Sequence, residues 1–274
     1  MENLETLKAE AKEITGILKL GAHPLGIKML SDEEQIPEGA KRPVKDLGTH
    51  MSLCMAFALT GRSEMTIAEF KEDMWCPEPV IGLGFEKPLQ YFLEGHIRYP
   101  GSAKNLEAGG NWAKNLPHFE YGKYKGILVG PLDSINFRPD IFIICCNPGQ
   151  LLQLIMAKNW IDGLDIQTTM SGHVVCVYAV VPVLRERKIA VSCPCSGCFR
   201  IGMAAETDMI FSAPVDMLHD LLEGLLDLRK YKWGKPYNLV GIAPEYPLTE
   251  KYGQVGRMIG MDWVRTGKRI YDYK

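Results

Sequence analysis

The chain lacks any long apolar run. Its longest uninterrupted stretch, Val174 to Leu184, covers eleven residues and contains Pro182, against the roughly 20 needed to cross a bilayer. The first sixteen residues, MENLETLKAEAKEITG, have no basic head followed by an apolar core, so no secretory signal is expected and the reducing cytoplasm is the expected compartment. Charge of one sign is also missing. With 31 Lys and Arg against 33 Asp and Glu, the net charge of −2 excludes a strongly basic nucleic-acid binder and an acidic disordered chain. No GxxxxGK[ST], HExxH or GxSxG motif is present. Gly82-Leu83-Gly84 lacks the third glycine and the preceding strand of a dinucleotide fingerprint and reads as a turn or helix end. Two CxxC motifs, or one CxxC with a histidine pair, would suggest zinc, but neither combination occurs.

What is present is cysteine. The 274 residues include eight: Cys54, Cys76, Cys145, Cys146, Cys176, Cys193, Cys195 and Cys198. A chain this long hides roughly three quarters of its unfolded surface and needs no disulfide staples. Without export, clustered cysteines more often bind metal or do redox chemistry.

Periodicity organises the rest. Leu4, Leu7, Ala11, Ile14 and Leu18 predict an amphipathic helix over 3–20. Strands are expected over 25–30, 65–70, 126–132, 140–146, 188–192 and 207–212, with an extended segment at 166–170. Helices are expected over 50–60, 149–161 and 214–230, the second opened by Asn147-Pro148, a favoured cap and first-turn pair. Residues 172–181 read as helix or strand, and CPCSGC as a loop. The mixture predicts an α+β (mixed α/β) fold in a single domain, 1–274. The glycine-punctuated, aromatic and basic tail, 245–274, suits a packing arm at a subunit interface of a homo-oligomer better than a nucleic-acid surface.

Cys54 to Cys76 and Cys176 to Cys198 have the same separation of 22 residues, and Ile67-Ala68 falls on Ile189-Ala190 at the same offset of 122. Chance can produce two equal spacings among eight cysteines. A duplication would instead give two intertwined halves, about 21–120 and 121–235, around a cysteine-lined seam where Cys54, Cys76, Cys176 and Cys198 converge. Four thiolates in such an array suit an iron–sulfur cluster or zinc.

The sharpest local signal is Cys193-Pro194-Cys195-Ser196-Gly197-Cys198. Successive backbone N–H groups of a tight turn can offset anionic sulfur. The candidate cofactor is therefore a [4Fe–4S] cluster. Its candidate ligands are Cys54, Cys76, Cys176, Cys195 and Cys198, with Cys193 beside them. Cys145 and Cys146, adjacent on a strand, point to opposite faces and read as core. Arg200, His50 and His173 are weaker candidates for substrate contact or proton relay.

These pieces resemble an uncharacterised prokaryotic family, ArCR. The resemblance rests on Cys54 in LCMAFALTG, Cys76 followed by IGLGF, Pro139-Asp140, Pro148-x-Gln150, Cys176, Cys-Ser-Gly with a nearby arginine, and ETDMIFSAP. Cys195-Ser196-Gly197-Cys198-Phe199-Arg200 has one more residue before the arginine than the usual pattern, so either Cys195 or Cys198 answers to the family cysteine. The resemblance implies a cytoplasmic, cysteine-bearing α/β protein of anaerobes and no established reaction.

The expected function is iron–sulfur redox or Lewis-acid chemistry on a small molecule in anaerobic metabolism, with a small-molecule substrate or a redox partner. A binding or regulatory module with a structural metal or none is the alternative. Metal-free thiol redox at Cys195-Ser196-Gly197-Cys198 is a third reading.

Overall fold

The computed structural model describes residues 3–32, 36–230 and 250–261. The chain divides into two compact units, Met1–Gly234 and Lys235–Lys274. The first unit begins with α1 (Leu4–Leu18), β1 (Leu25–Leu30), α2 (Pro43–Leu47), α3 (Leu53–Arg62) and β2 (Ile67–Phe70). Next come α4 (Pro77–Gly82), α5 (Gln90–Leu93), α6 (Leu106–Asn115), β3 (Gly126–Pro131), β4 (Ile141–Cys146) and α7 (Pro148–Asp162). It ends with α8 (Val175–Tyr178), α9 (Val181–Glu186), β5 (Ala190–Ser192), α10 (Ser196–Ile201), β6 (Met209–Pro214) and α11 (Leu218–Lys230). The second unit contributes α12 (Glu250–Met258), in which Arg257 pairs with Glu250 at 2.7 Å. The rest of the expected arm, 245–274, lies outside the described residues.

The six strands form one antiparallel sheet in the order β2-β3-β1-β4-β6-β5, so the fold is α+β. Alternation sorts the strand side chains into two cores. Ile27, Ile127, Val129, Ile141 and Ile143 face the layer built from α3, α4 and α8 to α10. Leu30, Leu128, Phe142, Ile144 and Phe211 face α1, α7 and α11. The first of these layers carries the cysteines of interest.

The strand order maps onto itself when β1, β2 and β3 are exchanged for β4, β5 and β6. The centre of this exchange is the antiparallel β1–β4 pair, with Gly26 opposite Phe142. The same exchange takes α3, with Cys54 as its second residue, onto α8, with Cys176 as its second residue. It takes Cys76, the N-cap of α4, onto Cys195, the N-cap of α10. Helix position thus pairs Cys76 with Cys195, where equal spacing pairs it with Cys198. The exchange also groups β3 with β1 and β2, so it divides the sheet between residues 131 and 141 rather than at 120.

Other expectations change with the local chemistry. CPCSGC is a loop only at Cys193-Pro194, because Cys195 caps α10. Residues 166–170 join no strand. Within residues 172–181 only Val175–Tyr178 form a helix before α9 begins at Val181, and Val174 lies in the left-handed region at φ 53° ahead of α8. Helix starts were the most legible feature. Asn147 accepts the Gln150 N–H, Gln150 returns the bond to the Asn147 N–H, and Pro148 occupies the first turn. The Gln150 amide also donates to the Leu18 carbonyl at 2.9 Å, which ties α7 to the end of α1.

Two substitutions should separate cap from core. Asn147→Ala should cost about 1 kcal/mol. Phe142→Ala, which empties a fully buried ring site, should cost about 3–5 kcal/mol. Urea denaturation of both variants measures the difference, and equal losses would contradict the central place given to the sheet.

Candidate thiol site

The segments ahead of Cys54 and Cys76 are paired. The Met51 N–H donates to the Asp73 carbonyl at 2.9 Å, and the Trp75 N–H donates to the Met51 carbonyl at 2.8 Å. Asp73 is fully buried and accepts from Arg42 Nε at 2.6 Å and from the Phe70 N–H at 3.0 Å. The Arg42 guanidinium also lies 4.3 Å from the Phe70 ring centre. This buried ion pair fixes the turn between β2 and α4. On the far side of α4, Gly82 packs so closely on α8 that a Cβ would fall 2.5 Å from Val177. α10 closes the group: a Cβ on Gly197 would lie 3.6 Å from Cys195 Sγ and 4.0 Å from Cys54 Sγ.

All eight cysteines are free thiols. Three of them form a hydrogen-bonded chain. Cys195 and Cys198 Sγ atoms are 3.6 Å apart, and Cys198 also bonds Cys54. Ser52 Oγ lies 3.2 Å from Cys54 Sγ. Cys198, between two sulfurs, keeps its proton: donation to Cys195 and to Cys54 pushes its pKa up. The same bond, aided by backbone N–H groups of Val175, Cys198 and Gly197, pulls Cys195 down to about 5 against the opposing effect of burial. Cys54 falls to about 7, through Cys198 first and Ser52 second, again against burial. The arrangement thus favours the thiolate form most at Cys195 and next at Cys54.

Cys76 and Cys176 sit within electrostatic reach of this chain. Burial, and then Glu78, whose carboxylate accepts the Cys76 thiol at 3.3 Å, push Cys76 up to about 12. Cys176 is pushed well up by complete burial and then by the charges of Cys54, Cys195 and Cys76. The five cysteines expected as metal ligands thus lie within electrostatic reach of one another, whereas Cys193, expected beside them, is exposed. They do not form a closed cage: among the described residues, no group of three or more His, Cys, Asp or Glu side chains could hold a metal ion as it stands. Cys146 is buried in the opposite core, on the other face of β4 from Cys145.

Of the weaker candidates, Arg200 and His50 are exposed. His173 is closer to the thiols, and burial, followed by the Arg98 charge, lowers its pKa. Sequence reasoning missed Arg98, Glu78 and Trp112. Arg98 pairs with Glu78 at 2.5 Å and lies 3.9 Å from the Trp112 ring centre, and its charge is felt at Cys76 and Cys195. Gly95, at φ +92°, makes this possible: a Cβ there would fall 2.3 Å from Gly110 N, so only glycine lets α6 approach and bring Trp112 under Arg98. Arg98 Nε, Trp112 Nε1 and His173 Nδ1 are buried with no hydrogen-bond partner among the described residues. Nothing in the spacing of the sequence linked residues 78, 98 and 112 to the cysteines.

Glu69 was missed as well. It is fully buried on β2, and neither carboxylate oxygen has a hydrogen-bond partner among the described residues. Burial first, then the charges of Asp73 and Cys54, raise its pKa well above the usual carboxylate range.

Two titrations test these assignments. In reduced, metal-free protein, thiolate absorbance should rise in steps near 5 and near 7, and Cys198→Ala should move both steps upward. For Glu69, folding raises the pKa, so its favourable contribution holds at low pH and is lost as pH climbs through the unfolded and then the folded value. The melting temperature of Glu69→Gln relative to the parent should therefore increase as pH rises from acid to neutral. A gap independent of pH would mean that folding leaves the Glu69 pKa unshifted.

A family model described as DUF169, Uncharacterised ArCR, matches residues 13–224. No curated protein and no solved structure matches the chain. The matched region runs from within α1 to within α11 and includes every element that carries the thiol group, and the chain belongs to the ArCR family.

Proposed function

We propose that the thiol site binds an iron–sulfur cluster, [4Fe–4S] in type, and that the protein acts in redox or Lewis-acid chemistry on a small molecule in anaerobic metabolism. The observation that carries this reading is the gathering of Cys195, Cys198 and Cys54 sulfurs around Gly197, with Cys76 and Cys176 beside them in an apolar layer. Soft sulfur donors in a water-poor site favour iron–sulfur ligation. The unpartnered donors of Arg98, Trp112 and His173 fit an anionic centre, since hydrogen bonds and a nearby cation lower the cost of buried negative charge. When bound, such a cluster supplies electron transfer, or a Lewis acid if one iron lacks a protein thiolate. The chain's own groups hold sulfur as thiolate and balance charge. Loading would release the proton held by Cys198. Eight free cysteines suit a reducing, cytoplasmic setting.

A second reading has one observation in its favour. The 3.6 Å separation of Cys195 and Cys198, with Cys195 at a helix start, suits a dithiol. Formation of a disulfide there would deliver two electrons, and the one proton held by Cys198, to a redox partner.

Anaerobic purification followed by iron and sulfide analysis decides between them. The cluster reading expects roughly four irons per chain, and less than about half an iron would overturn it. Cys54→Ser and Cys195→Ser should each lower iron content, whereas Cys193→Ser should not. Arg98→Gln should make the reduction potential more negative, because the reduced, more anionic state loses its cation. A stable disulfide in iron-free protein would favour the dithiol.

A further inference from the structure

Cys54 and Cys198 of the thiol group line a cavity of about 420 Å³ that lies between α3, the end of β4 and the start of α7. This is the size range of small-molecule sites. The buried part of its lining includes apolar Ile143, Val175 and Ile210, with half-buried Phe57 and Ala58 beside them. Exposed Lys19 and Arg62 bring two basic side chains to its rim, set against Asp208. Asp208 already accepts the Ala205 N–H at 2.8 Å, and His23 is paired with Asp133 at 2.8 Å. Arg62 donates to the Met203 carbonyl at 2.8 Å, which orients its guanidinium at the rim. Asn147 and Gln150 bring the first turn of the fifteen-residue helix α7 to the same rim, adding the positive end of its dipole.

We infer that this cavity is the substrate pocket of the thiol site and that it takes a small monocarboxylate with a short apolar body, its carboxylate at Arg62 and Lys19 and its other end at Cys54 and Cys198. The inference rests on the proposed function only in treating these sulfurs as the reacting wall. The polarity follows from the lining. An apolar floor rejects a second charge at depth, and two cations against one engaged acid favour an anion at the mouth. A neutral or cationic molecule of the same length would leave the rim unmatched.

The experiment uses reduced, metal-free, full-length protein and two thiol reagents of nearly equal size, iodoacetate and iodoacetamide. Each reacts by the same step: thiolate sulfur forms a bond to carbon and iodide leaves. Peptide mass spectrometry follows Cys54. Relative to a cysteine peptide, Cys54 should favour iodoacetate over iodoacetamide by roughly tenfold, the lower end of electrostatic enrichment in charged clefts. Arg62→Gln and Lys19→Gln should return the ratio to the peptide value. Ala58→Trp, which fills the cavity, should slow both reagents alike. Hexanoate should protect Cys54 from iodoacetamide, whereas hexanol and hexylamine should not. A peptide-like ratio unaffected by Arg62→Gln, or equal protection by hexanol, would overturn the inference. Iron content is measured separately, so failure of the cluster reading and failure of the pocket reading give different results.

Discussion

Negative charge on sulfur inside an apolar layer is the constraint to which the rest of the structure responds. An isolated thiolate there is costly, and five thiols in one neighbourhood compound the cost through mutual repulsion. The fold offsets this in three ways. Cys198 keeps its proton and lends it to two neighbours. Backbone N–H groups from the starts of α8 and α10 point at Cys195. Arg98 supplies a cation, itself held by Glu78 and by the Trp112 face. Where none of these acts, at Cys176, the thiol stays neutral.

The sheet explains how residues far apart in sequence meet. Each triplet, β1 to β3 and β4 to β6, sends a cysteine-bearing helix out after its first strand and a cysteine-capped helix out after its second. The central β1–β4 pair sets the triplets side by side, and the cysteine-bearing helices of both pack into one core. The other face, covered by α1, α7 and α11, contains no member of the thiol group. A division of labour follows: one face provides an ordinary hydrophobic core, and the other can accommodate ionisable groups that such a core would not tolerate.

Much of this was legible in the sequence because its signals are local. Periodicity located α1, Asn147-Pro148 opened α7, and apolar runs marked β1, β3, β4 and β6. The spacing of the cysteines drew attention to Cys54, Cys76 and Cys176; Cys54 and Cys176 hold equivalent helix positions, whereas Cys76 answers to Cys195 and not to the equally spaced Cys198. Illegible were the contacts that depend on tertiary packing. The three-residue step from Cys195 to Cys198 looked like a loop, and only the fold shows Cys195 capping a helix. Arg98 reaches the thiols because Gly95 lets α6 close on α5, a contact with no signature in spacing. Glu69 sits in a short strand whose pattern gave no hint that both oxygens would be left unpaired.

The proton inventory connects these groups. If sulfur binds a cation, the Cys198 proton must leave, and the chain of S–H bonds that now holds Cys54 and Cys195 goes with it. The charge this exposes is compensated by groups already in position, namely the backbone amides and Arg98. Glu69 has the opposite character. Ionised, it would add an unpaired anion to a region already rich in negative sulfur, and burial and the nearby charges both oppose that. A neutral Glu69 is thus the condition under which thiolates at Cys195 and Cys54 can share the layer with it, and the same electrostatics that lower two thiols keep the one unpartnered acid protonated.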